Sequence, residues 1–355
     1  MRRTRDDGIG LDELAQAARN HGMPLEALRY DLTPAGLHYL LIHYDIPAVD
    51  PDAWRLEIGG LVATKLSLSL DDLRAGPPVT APVTLECAGN GRTLYDDRPI
   101  SQPWLLEAVG TASWTGTPLA PLLDEAGLHG DAVDVVFIGL DRGIEGGEER
   151  AYERALPVAE ARRDDVLLAY EMNGRPLLPQ HGAPVRLIVP GWYGMAHVKW
   201  LASIHAVAEP FEGYQHTVAY RFRRDDDDEG TPLDRIRPRA LMIPPGLPSF
   251  PERERSLRAG QVTLEGRAWS GGGPIARVEV STDAATTWQD AELGPALGDH
   301  AWRGWTFRWD ATPGEHELVC RATDVSGATQ PDEAEFNTGG YVNDAIQRVR
   351  VTVTG

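Results

Sequence analysis

Thr84-Leu85-Glu86-Cys87-Ala88-Gly89-Asn90-Gly91-Arg92 is the stretch on which the reading of this chain turns. A strand-like run, Val83–Cys87, ends at a thiol, and two glycines then free the backbone to turn tightly. Arg92 follows five residues after the thiol. A thiol at a strand end beside a cation is a thiolate candidate, and a thiolate is a soft metal ligand or a nucleophile. The same residues also suit a core cysteine packed before a turn. Chemistry alone leaves the two readings level.

Around this stretch, from Leu37 to Ala208, strand-like pieces (Trp54–Ile58, Val133–Ile138, Val185–Val189) alternate with helical spacing such as Leu119–Ala126, and Gly- and Pro-rich loops separate them. An α+β or mixed α/β domain with many loops fits better than a regular doubly wound sheet. Upstream, Leu11, Leu14, Ala15 and Ala18, then Leu25 and Leu28, recur at helical spacing and predict short helices. No GxGxxG follows a strand and no GxxxxGK[ST] occurs, so nucleotide binding is unsupported.

Downstream, Pro238, Pro244, Pro245, Pro248 and Pro251 mark a connection between domains. Beyond it the texture changes. Val262, Leu264, Gly266 and Ala268 alternate with polar residues, as do Ala276, Val278 and Val280. Trp305, Phe307 and Trp309, then Leu318, Cys320 and Ala322, then Val349, Val351 and Val353, repeat the pattern. Turn residues separate these runs, so an antiparallel, immunoglobulin-like β-sandwich is expected, with Cys320 on its inward face. The division predicted is 1–235 and 236–355, consistent with about two domains for 355 residues.

The net charge of -19 argues against nucleic acid and anionic membranes as partners. An anionic substrate would need a local arginine cluster, and Asp225–Glu229 reads as a solvated loop. Two cysteines make no disulfide framework, and no apolar run approaches the ~18–20 residues of a membrane span. Arg2, Arg3 and Arg5 are followed by acids rather than an apolar core, so a cytoplasmic location is expected.

Further motifs follow in order. Ala169-Tyr170-Glu171-Met172-Asn173-Gly174-Arg175-Pro176-Leu177 runs into His181-Gly182-Ala183-Pro184-Val185-Arg186. Then come Val189-Pro190-Gly191-Trp192-Tyr193-Gly194 and His197-Val198-Lys199-Trp200. Together with the cysteine stretch, this succession resembles the sulfite oxidase family. The resemblance runs from about Thr33 to Tyr220 and resumes at Val262–Gly271 and Ala301–Trp305.

The resemblance implies a molybdopterin-binding domain followed by an immunoglobulin-like dimerisation domain. Cys87 would be the protein ligand to molybdenum held in a pterin dithiolene. His181, Arg186, His197 and Lys199, with Val198 between them, would hold the anionic phosphate end and the pterin. Forked and point cations in a Gly-shaped pocket suit a phosphate. Asp141 and His43 match further cofactor contacts, although Asp141 before Gly143 also suits a turn. Tyr220, 21 positions after Lys199, and Trp104, ten before Trp114, fall at the spacing of substrate-side aromatics. Arg92 matches an oxyanion-binding arginine.

One departure stands out. The family's early motif reads Arg-Asn-His, whereas here it is Leu41-Ile42-His43. The resemblance therefore implies oxidation of a small oxyanion, sulfite, with electrons leaving to a separate carrier and no haem in this chain. Reduction of a neutral sulfoxide or similar oxo donor at the same centre is the alternative that Leu41 suits. A cofactor-free interaction protein is a third. A homodimer through the second domain is also implied.

Overall fold

The computed structural model describes residues 2–355. Two five-stranded sheets build the first half. In one, the order is Leu66–Leu68, Leu56–Gly60, Leu201–Val207, Asp134–Glu145, Glu148–Pro157. In the other, Arg175–Pro176, Leu167–Met172, Val109–Pro118 and Val79–Glu86 lie in that order, and Arg186–Ile188 pairs with Leu167–Met172. Leu201–Val207 runs parallel to Leu56–Gly60 and antiparallel to Asp134–Glu145, so the sheet is mixed.

Each element follows from its residues. Leu119–Ala126 is helical with Leu119, Ala120, Leu123 and Ala126 buried, and it stops at Gly127 in the left-handed conformation. Val79–Glu86 pairs with Val109–Pro118 over eight registers, and Thr84 and Thr111 share a buried hydroxyl hydrogen bond of 2.5 Å. The N-terminal helix, Leu11–Ala17, differs from expectation, since Leu11 and Leu14 are exposed and Glu13 is the buried residue. Glu13 forms a buried ion pair with Arg98 at 3.2 Å, which fixes the face that the helix turns inward.

The second half is a β-sandwich. One sheet orders Arg239–Met242, Gly260–Trp269, Arg303–Ala311 and Glu292–Leu293. The other orders Leu247–Pro248, Arg255–Arg258, Gln347–Thr354, Gly314–Asp324, Ile275–Ser281 and Gln289–Asp290. Leu264, Val278, Val280, Trp305, Leu318, Cys320 and Val351 fill the space between, with Cys320 fully buried and unpaired as a thiol. Arg255–Arg258 pairs in parallel with Gln347–Thr354, a departure from a wholly antiparallel plan. The long excursion of chain between them permits it.

The proline-rich connector also differs from expectation. Arg239–Met242 is a fully buried strand, because its prolines flank rather than interrupt it and the side chains of Gln330 and Gln347 accept from the N–H groups of Ala240 and Met242. Trp269 and Trp302 of the second half belong to the first half's core. Trp302 Nε1 donates to the Asp31 carbonyl and Arg267 Nε to that of Leu28, so the two halves share a packed interface.

Candidate functional site

After Glu86 the strand ends and Cys87 opens the loop. Its N–H still bonds the Ala108 carbonyl, and Gly91 turns the chain at φ 86°. A Cβ on Gly91 would meet Asn343 Cβ at 2.7 Å, so the turn needs glycine for space as well as for conformation. Cys87 is buried, and burial pushes its thiol up while Arg92 and the Gly89 N–H pull the other way. Glu86 beneath it is buried and takes Arg239 Nη1 at 2.7 Å, Trp269 Nε1 at 2.8 Å and Asn90 Nδ2 at 2.9 Å.

Two chambers meet at Cys87. The inner one is lined by Cys87, His43, Asp141, His181, Arg186, His197, Lys199 and Tyr220, with Leu41, His38, Tyr39, Tyr152 and Gln180 among its other walls. The outer one is lined by Cys87, Arg92, Trp104, Tyr220, His43 and Leu41, together with Glu145, Ser101, Gln102 and Tyr341. Cys87, Leu41, His43 and Tyr220 border both. Residues read separately along the sequence are thus brought to one place.

The inner chamber holds two buried basic side chains, Lys199 and Arg186, and one acid, Asp141. Lys199 Nζ donates to the carbonyls of Leu41 at 2.8 Å and Gln180 at 3.2 Å and lies 4.2 Å from the Trp200 ring centre. Burial pushes its ammonium down to about 7, and Arg186 adds to that. Arg186 donates to the carbonyls of His181 and His197, stacks 4.9 Å from Trp114, and leaves Nε without a partner. Burial brings it down to about 10. Among the described residues neither cation forms an ion pair. Burial lowers His181 and His197 to about 3 each. Asp141 is pushed up to about 6 by burial despite Lys199, and its Oδ1 is orphaned.

Not every predicted residue presents a free polar atom. Both ring nitrogens of His197 are engaged by backbone, Nδ1 accepting from the Val189 N–H and Nε2 donating to the Trp192 carbonyl. Val198 is fully buried in the core, and its carbonyl accepts from the Leu187 N–H. Arg92 donates to Ser101 Oγ at 2.9 Å and to the Gly339 carbonyl at 3.3 Å. Trp104 keeps an unpartnered buried Nε1. Tyr220 sits at φ 49° and Trp200 at φ 48°, left-handed conformations that bulky residues rarely adopt.

The sequence reading missed Glu145 and Tyr341. Each is next to a paired-glycine turn, Gly146-Gly147 and Gly339-Gly340, which was the available signal.

These features suit an anionic, donor-rich guest beside a soft ligand. Two buried basic side chains without an ion-pair contact, an orphaned guanidinium nitrogen and an orphaned carboxyl oxygen match the phosphate and heterocycle of a pterin. Among the described residues no three His, Cys, Asp or Glu side chains converge, so a metal at Cys87 would take its other ligands from such a group.

The comparisons agree with this class. Residues 43–215 match the oxidoreductase molybdopterin binding domain, and 249–354 match the Mo-co oxidoreductase dimerisation domain. Chicken sulfite oxidase is 36% identical over 364 residues, covering 96% of this chain and 77% of its own. Mitochondrial sulfite oxidase of Rattus norvegicus is 36% identical, covering 91% of this chain and 62% of its own length. Nitrate reductase [NADH] 1 of rice is 31% identical, covering 91% and 38%. The sulfane dehydrogenase SoxCD of Paracoccus pantotrophus superposes with TM-score 0.81 at 27% identity, covering 94% of this chain and 86% of that one. The chain belongs to the sulfite oxidase family of molybdopterin oxidoreductases, and its cofactor is molybdenum-molybdopterin. It spans about 62% of the length of the mammalian relatives. No helix among the described residues is long and apolar enough to cross a membrane.

Proposed function

We propose that this chain oxidises sulfite to sulfate by oxygen-atom transfer and passes the electrons singly to a separate carrier. The observation that carries the reading is the junction of two chambers at Cys87, with the buried basic side chains Lys199 and Arg186 on the inner side and Arg92 on the outer. The molybdenum pterin supplies the oxygen-atom transfer and the two-electron redox change. Lys199, Arg186 and His181 would hold its anionic end, Asp141 and His43 its polar edge. His197 and Val198 would fix the wall, since their own polar groups are spent on backbone.

Cys87 would ligate the metal as thiolate, the metal's charge overcoming the burial that otherwise favours the thiol. Arg92 would take the substrate oxygens. The Tyr220 hydroxyl, which burial keeps protonated, would donate to them, and Trp104 would bound the chamber. Residues 1–235 would form the cofactor unit and 236–355 the unit through which two copies pair.

Leu41 and Glu145 in the outer chamber favour a second reading, reduction of a neutral sulfoxide or similar oxo donor. Metal analysis followed by sulfite-dependent reduction of an artificial acceptor tests both. About one molybdenum per chain with sulfite-dependent turnover supports the oxidase. Molybdenum without sulfite turnover favours the reductase, and no molybdenum refutes both. Cys87→Ser abolishes turnover under either enzymatic reading.

A further inference from the structure

Glu145 ends the strand Asp134–Glu145, and Gly146 and Gly147, both at positive φ, return the chain into Glu148–Pro157. Its carboxylate borders the outer chamber together with Cys87, Arg92 and Tyr220. Three donors fix it, all on Oε2: His43 Nε2 at 3.2 Å, Tyr44 Oη at 2.8 Å and the Gln215 amide. No arginine or lysine among the described residues pairs with it. Burial alone would raise its acidity range, but the His43, Tyr44 and Gln215 donors outweigh it and hold the carboxyl below its ordinary value. The chamber wall therefore carries a carboxylate, with His43 at 3.2 Å close enough to offset it when protonated.

The charges facing that carboxylate can be counted. Arg92 forms no ion pair among the described residues. Arg19 is neutralised by Asp45 at 2.9 Å. Further out, Arg221 and Arg223 border the adjoining surface groove with Glu145; they keep their charge but are held there by the carbonyls of Glu229, Gly230, Val218 and Thr217, outside the chamber wall. Leu41 and the neutral Ser101 and Gln102 complete the wall. Of the two arginines that line the chamber, Arg92 alone has no acidic partner, and Glu145 shares the wall with it, so a second negative charge on a ligand meets the carboxylate with one chamber arginine to offset it.

We propose that Glu145 is a specificity-determining residue that restricts this chamber to substrates with at most one negative charge, oriented with a hydrogen-bond donor toward the carboxylate. A protonated oxyanion such as hydrogensulfite satisfies this, as does a neutral oxo donor bearing an N–H or O–H group. The inference rests on the outer chamber being the substrate site.

The test compares two tetrahedral anions, sulfate and methanesulfonate, titrated calorimetrically into the molybdenum-loaded protein and its Glu145→Gln variant. Glutamine keeps the acceptor for His43 and Tyr44 and removes the charge. A unit charge facing a bound anion in a solvent-screened chamber is worth roughly tenfold in affinity for each ligand charge. Methanesulfonate should tighten about tenfold and sulfate about a hundredfold, so the preference ratio shifts about tenfold. Glu145→Met, with molybdenum content measured, should shift the ratio in the same sense. An unchanged ratio in both variants overturns the proposal. A shifted ratio in a protein that never turns over sulfite leaves Glu145 its role and rejects the oxidase reading. Sulfite turnover with an unchanged ratio does the opposite.

Discussion

Replacing Arg239 by methionine tests whether the second domain's strand Arg239–Met242 holds the cysteine loop. Arg239 and Glu86 are 3% and 1% exposed, and their ion pair is 2.7 Å long. Without the guanidinium, Glu86 retains two neutral donors, Asn90 and Trp269, for a full negative charge out of water. Breaking a buried pair from one side costs about 3–5 kcal/mol. Each kcal/mol moves Tm by about 2 °C in a chain of this size, so R239M should melt about 6–10 °C lower by calorimetry. Replacing both partners, Glu86→Leu with Arg239→Met, should recover most of the loss, because an apolar pair removes the unpaired charge. Asn90 joins Glu86 to the Ala108 N–H, and Ala108 in turn accepts from Cys87, so R239M should also lower molybdenum occupancy. A drop below about 2 °C, or a double variant as unstable as the two losses summed, would refute the reasoning.

Lys199→Met should raise the melting temperature of the cofactor-free chain, since it deletes a buried cation without an anion, yet cut molybdenum content by more than about tenfold; matched calorimetry and metal analysis read both signs. In the cofactor-free chain, burial holds His38 at about 4 and His181 and His197 at about 3, against an ordinary 6.5. The unfolded chain therefore takes up protons first, and stability present above pH 6.5 is lost as pH falls toward 3, by several kcal/mol in total; urea midpoints measured from pH 7 to 4 should fall steeply. Tyr220→Phe should lower kcat/KM for the substrate by about 10–100-fold through loss of one buried donor, with molybdenum content unchanged.

Local features were legible in the sequence where local physics decides them. The helix Leu119–Ala126 shows its buried stripe and its Gly127 stop directly. The sandwich strands show alternation, and the Cys87 loop shows its glycines. What escaped was decided by distant partners. Periodicity reads Leu11 and Leu14 as a core face, but Glu13 is turned inward by Arg98, 85 residues away. Prolines read as a linker around a strand that is buried because Gly260–Trp269 pairs with it. Within the site, the cations at 186 and 199 fall in one motif-rich stretch. Glu145 and Tyr341 reach the chamber from a hairpin tip and from a loop near the C-terminus, where paired glycines mark a turn but do not say which way the neighbouring side chain points. The backbone engagement of His197 likewise depends on Val189 and Trp192 curling around its ring.

The second domain cannot be treated as an appendage to the cofactor unit. Its loop 337–344 closes directly on the cysteine loop: Val342 N–H donates to the Ala88 carbonyl at 2.7 Å and Asn343 Nδ2 to that of Gly91 at 3.1 Å. Tyr95 Oη donates to the Tyr341 carbonyl at 2.9 Å, and the Arg92 guanidinium carbon lies 4.9 Å from the Tyr341 ring centre. The same loop therefore supplies a chamber wall and orients the chamber's free cation. Removing the domain would strip Glu86 of its arginine and tryptophan, open the outer chamber at Tyr341, and release Arg92 from Gly339 in one step. Any displacement of the sandwich, including one imposed by pairing with a second copy, would act on the substrate side of Cys87 through these bonds, and on the inner chamber through the core packing of Trp269 and Trp302 and the bonds from Ile236 and Arg237 to Gly191 and Tyr193.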